Sequence, residues 1–396
     1  MQDSRKALAS IAAGAFALGF AEFVMMGILP SVAAGVDVSV PAAGTFISAY
    51  AIGVCVGTLI LVFGHNVAPK RLLMLFMVLV LVGNAGAALA PNAATLTAAR
   101  FVSGLPHGAY FGTATIVCRA LAQRGREGQA VAVMVLGQTL ANTIGVPGGT
   151  LLAGLVSWRA AFAFVAAWSV VSLALIVRYV PELAPGEDAG LAGQFRFLGK
   201  LGPWLVLGAV LLGNTGIFCW WSYVSPWLTS VGGFAEAALP ALLVVAGLGM
   251  VCGSQLGGRM GDLTSPGKAA AAGQALSCVS MLLIWAFSGT KITSVVLMFA
   301  CSVALFFVSS PQQVLMVECG RGGGEMIGSA CVQVAFNAGN AIGATVGQHV
   351  LDAGFAYNWP SLAGVPFTAL AVALLAWFAL RYEHAYHVAA TSSEQG

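Results

Sequence analysis

Residues 137–159 read GQTLANTIGVPGGTLLAGLVSWR. Gly137, Ala141, Gly145, Gly149 and Ala153 recur every four residues, so a helix through them carries one slowly drifting stripe almost without side chains. Such a stripe lets another backbone come close, and between apolar helices in lipid that close approach carries much of the packing. The pattern returns late in the chain at Gly339, Gly343 and Gly347, with Cys331 and Ala335 leading in. The run NTIG from Asn142 becomes NAIG from Asn340, an offset of 198 residues, which is half of the 396. A second pair of stripes, Ala49, Gly53 and Gly57 against Gly249, Gly253, Gly257 and Gly261, repeats at an offset of 196. The chain reads as a duplicated membrane protein.

Composition agrees. Hydrophobic residues make up 59% and charged ones 8%, against about a quarter charged in an ordinary globular domain, so most of the length belongs in lipid. The net charge of +3 is small and scattered, which excludes a nucleic-acid footprint. The eight cysteines sit in or beside apolar runs with no C-x-x-C pair and no His cluster; they read as packing residues, neither metal ligands nor a disulfide frame. No metal and no cofactor is expected. Arg5 and Lys6 precede an apolar run, yet Ala7 to Pro30 is too long for a signal-peptide core and holds Glu22, so a retained first span is expected.

A spanning helix needs roughly 20 apolar residues. Twelve segments qualify, near 7–33, 43–64, 71–90, 94–118, 128–156, 160–180, 202–229, 237–258, 268–288, 291–317, 325–352 and 360–381. The fold class expected is all-α integral membrane, with twelve transmembrane helices in two pseudo-symmetric six-helix halves. Fourteen of the seventeen Lys and Arg fall on the side of the N-terminus, Arg159 and Lys291 on the other, and Arg100 within a span. Both termini are therefore expected to be cytoplasmic. Residues 181–201 carry Pro181, Pro185, Gly186, Glu187 and Asp188 before QFRFLGK, and read as a cytoplasmic linker ending in an interfacial helix. The expected organisation is an N-terminal half 1–180, the linker 181–201, and a C-terminal half 202–396 with a short polar tail. Parallel halves of this kind are a transporter plan.

Several motifs resemble those of a known family. Span one reads GFAEFVMMGILP from Gly19, span four RFVSGLPHGAYFG from Arg100, and SWRAAF follows span five from Ser157. Spans seven and eight add SYVSPWL from Ser222 and GGRMGD from Gly257. Over essentially its whole length the chain resembles the major facilitator superfamily, and within it the drug/proton antiporter branch that holds the arabinose-efflux permease and sugar-efflux proteins. The resemblance implies an antiporter motif at Gly137, Asn142, Gly145, Pro147 and Gly149, matched by Gly339 and Gly343. It also implies a cytoplasmic loop motif, of which Lys70 and Arg71 keep the basic end and Gly258 and Asp262 keep the Gly-x-x-x-Asp spacing. The first loop, GHNVAPKRL from Gly64, lacks the family's acidic residue, so a charge clasp is in question there.

Glu22 is the main candidate for chemistry. A charge at the centre of a span costs about 2.5–3.5 kcal/mol or more, and such residues face the bundle interior or a water-filled path. Glu22 lies eight residues inside Pro30, or roughly 12 Å at 1.5 Å per residue, with Arg100 shallower and His107 deeper on span four. In one reading Glu22 carries a proton from an acidic outer space inward, tuned by Arg100 or His107. In the other, Glu22 and Arg100 form a fixed pair that fastens spans one and four, or Arg100 snorkels outward, and His107 bonds a carbonyl freed by Pro106.

Candidate cavity residues are Phe20, Met26, Trp221, Tyr223, Asn337 and Asn340. Trp221 and Tyr223 belong to an aromatic group with Phe218, Trp220 and Trp227, joined in the first half by Phe16, Phe20 and Tyr50. The asparagines are explained equally well by interhelical hydrogen bonds at about 0.6 kcal/mol each. Nothing indicates an enzyme: G-x-x-x-x-G-K-[ST], G-x-S-x-G and H-E-x-x-H are all missing. The resemblance, together with Glu22, implies a monomeric secondary transporter of a bacterial inner membrane that exports a small organic solute against protons. A proton-coupled importer and a non-transporting membrane sensor remain the alternatives.

Overall fold

The computed structural model describes residues 2–60, 67–122, 127–184, 195–321 and 324–383. Outside these lie the end of the second expected span, Gly64 to Asn66 of the first loop, Arg124 and Arg126, linker residues 185–194, and the polar tail. Among the described residues all regular structure is helical. Each of the twelve expected spans is occupied by helix.

Span one is α1 (Gln2–Gly35), span two α2 (Val40–Gly57) and span three α3 (Pro69–Leu89). Span four is divided into α4 (Ala93–Gly104) and α5 (Pro106–Leu121). Span five consists of α6 (Glu127–Leu140), a π turn (Ala141–Gly145) and α7 (Val146–Leu155), and span six is α8 (Trp158–Tyr179). A 3₁₀ turn, Arg196–Gly199, stands where an interfacial helix was expected. Span seven is α9 (Leu201–Trp221) with α10 (Val224–Ser230), and span eight is α11 (Leu239–Leu263). Then follow α12 (Pro266–Phe287), α13 (Lys291–Phe307) with α14 (Ser309–Cys319), α15 (Glu325–Asp352) and α16 (Trp359–Arg381). Nine helical segments among the described residues are long and apolar enough to cross a membrane. The other three, Ala93–Leu121, Glu127–Leu155 and Glu325–Asp352, are interrupted or carry Arg, His, Asn and Gln.

Local chemistry sets the ends. Ser39, Asn92, Ser157, Ser265 and Thr290 each cap a helix N-terminus through the side-chain oxygen, satisfying donors that a helix start leaves orphaned. The breaks in spans four and five were not expected as such, and each falls at a proline. Pro106 and Pro147 lack the N–H that a continuous helix needs. Leu105 nevertheless keeps helical dihedrals, so span four is one rod with an interrupted hydrogen-bond ladder. The turn before Pro147 widens to π geometry, a local form common at functional sites.

The chain divides into two compact units, Met1–Glu187 with Val224–Pro226 and Ala235–Val244, and Asp188–Tyr223 with Trp227–Phe234 and Val245–Gly396. In the first unit α1 packs on α6 and α8, α2 on α4, and α3 on α8; in the second, α9 packs on α15 and α16, and α12 on α13 and α16. The small-residue stripes do this packing within each unit. A Cβ at Gly53 or Gly57 would strike the Phe101 or Leu105 carbonyl, and one at Gly137 the Ala12 carbonyl. In the second unit the same holds for Gly253 against Val303, Gly257 against Phe307, Gly339 against Leu211 and Gly343 against Thr215. Spans two and five thus lean on four and one, and spans eight and eleven lean on ten and seven.

Backbone contact of this kind leaves no room for a side chain. Gly57→Val should lower stability by about 1–3 kcal/mol or more, as overpacking does, read as an earlier thermal unfolding midpoint in detergent. Gly148→Ala is the matched control, since a Cβ there meets nothing within 4 Å; its midpoint should stay or rise slightly.

Candidate functional site

Arg100 and His107 are seven residues apart, two helical turns, so they share a face of span four. Between them, from α2, comes Tyr50. Its backbone is close to α4 because Gly104 has no side chain: a Cβ there would meet the Tyr50 carbonyl. Glu22 reaches the same place from α1. All four are buried, with relative exposures of 2% for Glu22, 1% for Tyr50, 0% for Arg100 and 1% for His107.

The partners are unlike those the sequence offered. Glu22 Oε2 lies 3.5 Å from His107 Nε2, while the other carboxylate oxygen has no partner among the described residues. His107 Nδ1 lies 2.8 Å from the Tyr50 hydroxyl, which is itself 3.4 Å from the Leu18 carbonyl. Arg100 does not pair with Glu22 and does not snorkel. Its Nη1 donates to the Ala21 carbonyl at 2.7 Å and its Nε to the Phe46 carbonyl at 3.4 Å. The guanidinium lies 4.4 Å from the centre of the Tyr50 ring and 5.7 Å from that of Phe162. The fixed Glu22–Arg100 fastener is thereby replaced by a line from carboxylate to imidazole to phenol, with a cation held flat against the phenol ring.

Tyr50 is the residue that sequence reasoning assigned to the wrong role, as part of an aromatic wall. The available signal was its place beside Gly53 on the α2 stripe, which brings it against span four. Tyr110 does similar work one turn further on, its hydroxyl donating to the Ile11 carbonyl at 2.8 Å.

The remaining candidates fall separately in the two units. Phe20 and Phe16 stack with ring centroids 6.1 Å apart. With Phe164, the π-turn Gly145, and Gly148 and Gly149 they line an apolar cavity of about 380 Å³ in the first unit. Met26 is buried on α1, and Asn142 is buried with neither side-chain atom hydrogen-bonded. In the second unit Trp221 packs edge-on against Trp220 at 5.7 Å. The Tyr223 hydroxyl donates to the Ala344 carbonyl at 3.0 Å. Asn337 donates to the Gln333 carbonyl at 3.1 Å, and Asn337 and Asn340 each keep an unpaired buried oxygen. On the loop motif, Asp262 and Arg71 are exposed and Lys70 is partly so; none forms an ion pair among the described residues. Arg159 donates to the Ala90 carbonyl at 2.8 Å and covers Trp158.

Helices long and apolar enough to cross a membrane, in two compact units with buried ionisable side chains in the first, mark a multi-pass membrane protein. The family model of the Major Facilitator Superfamily matches residues 11–329, and the chain belongs to that superfamily. It is 39% identical over 374 residues to the Escherichia coli protein "Putative transporter AraJ", covering 94% of this chain and 95% of that one. It is 27% identical over 347 residues to the "Chloramphenicol resistance protein" of Streptomyces lividans, covering 86% and 88%. It is 26% identical over 375 residues to the "Probable sugar efflux transporter" of Helicobacter pylori, covering 93% and 92%.

The Arg100 geometry makes a direct prediction. Arg100→Lys keeps the charge but loses the flat stack and a second donor. Stability should fall by about 1–2 kcal/mol, the scale of a desolvated cation–π contact, as a lowered unfolding midpoint in detergent.

Proposed function

We propose that the chain is a proton-coupled exporter of a small organic solute, working by alternating access. The observation that carries this is the buried line from Glu22 through His107 to Tyr50. An ionisable group at lipid depth is retained where a proton or substrate path needs it, and here the carboxylate has no permanent cationic partner. Glu22 is read as the proton carrier and His107 as its direct partner. Arg100 supplies a fixed positive charge nearby. Export is supported by the names of two relatives, one for chloramphenicol resistance and one for sugar efflux.

The solute is read as uncharged or weakly charged, a sugar derivative or an amphipathic drug. Support comes from the apolar cavity at Phe16 and Phe20, from the buried Asn142 amide, and from the Asn337 and Asn340 side-chain oxygens, which have no hydrogen-bond partner among the described residues. We take residues 1–180 and 202–396 as the two moving halves, with 181–201 as their linker. Both termini are read as cytoplasmic from the Lys and Arg distribution, in a bacterial inner membrane, with the monomer as the working unit. The antiporter-motif residues Gly137, Asn142, Gly145, Pro147, Gly149, Gly339 and Gly343 are read as shaping spans five and eleven for that motion. Lys70, Arg71, Gly258 and Asp262 are read as remnants of a cytoplasmic latch.

Everted vesicles acidified inside test this. Adding sugars and amphipathic drugs to vesicles holding the native protein should release protons with at least one solute. Glu22→Gln should abolish the release while the protein stays folded. Full coupling in Glu22→Gln removes Glu22 from the role; no release from the native, folded protein with any solute removes antiport and favours uniport or import.

A further inference from the structure

We propose that Tyr50 is a positioning residue whose hydroxyl turns between two acceptors, and that by turning it lets His107 change tautomer as Glu22 gains or loses a proton. This rests on Glu22 as the proton carrier, the reading given above. The hydroxyl lies 2.8 Å from His107 Nδ1 and 3.4 Å from the Leu18 carbonyl. A phenol has one proton to give and can accept as well, and in a neutral imidazole one nitrogen donates while the other accepts. Which nitrogen carries the proton is set by the bond at the other.

Two arrangements pair every group from Glu22 Oε2 through the imidazole to the Tyr50 hydroxyl. In the loaded one, protonated Glu22 donates to Nε2, Nδ1–H donates to the Tyr50 oxygen, and the hydroxyl donates to the Leu18 carbonyl. In the empty one, ionised Glu22 accepts from Nε2–H, and the hydroxyl has turned to donate to Nδ1. They differ by one proton, and the imidazole is neutral in both. Unloading breaks the carboxyl O–H bond as its proton passes to Nε2, and breaks the Nδ1–H bond as that proton passes to water admitted when alternating access opens the line to the receiving side. The Tyr50 O–H bond rotates and does not break. The proton that arrives at Glu22 is therefore not the one that leaves.

Burial makes the hydroxyl necessary. With Glu22, Tyr50 and His107 at 2% exposure or less, bulk water does not reach the line in this conformation, and an unpaired buried donor or acceptor is costly. Tyr50 is held for the task by the Arg100 guanidinium over its ring, itself tied to two backbone carbonyls. The groups facing the line are Glu22 from α1, Tyr50 from α2, Arg100 from α4 and His107 from α5. The Phe111 ring lies against His107 and the Phe162 ring against Arg100, and Tyr110 points away to Ile11.

Nitrogen-15 NMR of histidine-labelled protein in detergent tests this, with the His107 signal found by difference against His107→Gln among the five histidines. In the native protein, lowering the pH should move the proton from Nε2 to Nδ1 with no imidazolium. Glu22→Gln should hold one tautomer at every pH. Tyr50→Phe keeps the ring but removes the partner of Nδ1–H and the bond to Leu18; the midpoint of the tautomer change should fall by about one pH unit, a tenfold loss in proton affinity. A single tautomer throughout in the native protein, a cationic His107 at the low-pH end, or an unmoved midpoint in Tyr50→Phe overturns the inference. Any of these beside intact solute-driven proton release leaves Glu22 as carrier and removes only the switch.

Discussion

At 2% exposure the Glu22 carboxylate is cut off from bulk water, and much of the first unit follows from that. Glu22 has to find its partner among side chains that other helices bring to it, and every one of those groups needs a partner in turn. His107 answers Glu22, Tyr50 answers His107, and backbone carbonyls of α1 and α2 answer Tyr50 and Arg100. The line closes only because α2 and α4 approach at backbone distance, across Gly53, Gly57 and Gly104. Small residues and charged ones are thus parts of one arrangement: the glycines supply the proximity that the polar groups use.

The same packing scheme serves the second unit without the charges. Gly253 and Gly257 set α11 on α13 as Gly53 and Gly57 set α2 on α4. By that register Arg100 corresponds to Ser302, whose hydroxyl donates to its own helix at the Met298 carbonyl, 2.8 Å away. Helix α9 carries no charged residue at all, and offers Trp220 and Trp221 together with Asn214. Duplication has therefore kept the scaffold twice and the ionisable line once. The first unit thus holds the buried ionisable line, and the second an aromatic and amide cluster in its place.

How legible was this in the sequence? The spans were, because hydropathy over twenty residues is a local property and survives any packing. So was the repeat, since the stripes at Gly145 and Gly343 sit at matching places. The gathering of Glu22, Arg100 and His107 was legible as a possibility from their depths along spans one and four. The interruptions at Leu105 and Ala141–Gly145 were flagged only by their prolines, which mark where a ladder must break but do not say how the chain absorbs it. Arg100 was offered a carboxylate or the outer interface and took the Ala21 and Phe46 carbonyls and the Tyr50 and Phe162 rings.

By itself the sequence determined the membrane class, the span count, the internal repeat and the candidate ionisable groups, all of which depend on composition and spacing along one chain. The tertiary structure alone decided that Glu22 meets His107, that Tyr50 joins them, and that the small-residue stripes pack inside each unit. Those outcomes depend on distances between helices far apart in sequence. A shift of an ångström or two there changes which hydrogen bond forms, and no local pattern encodes it.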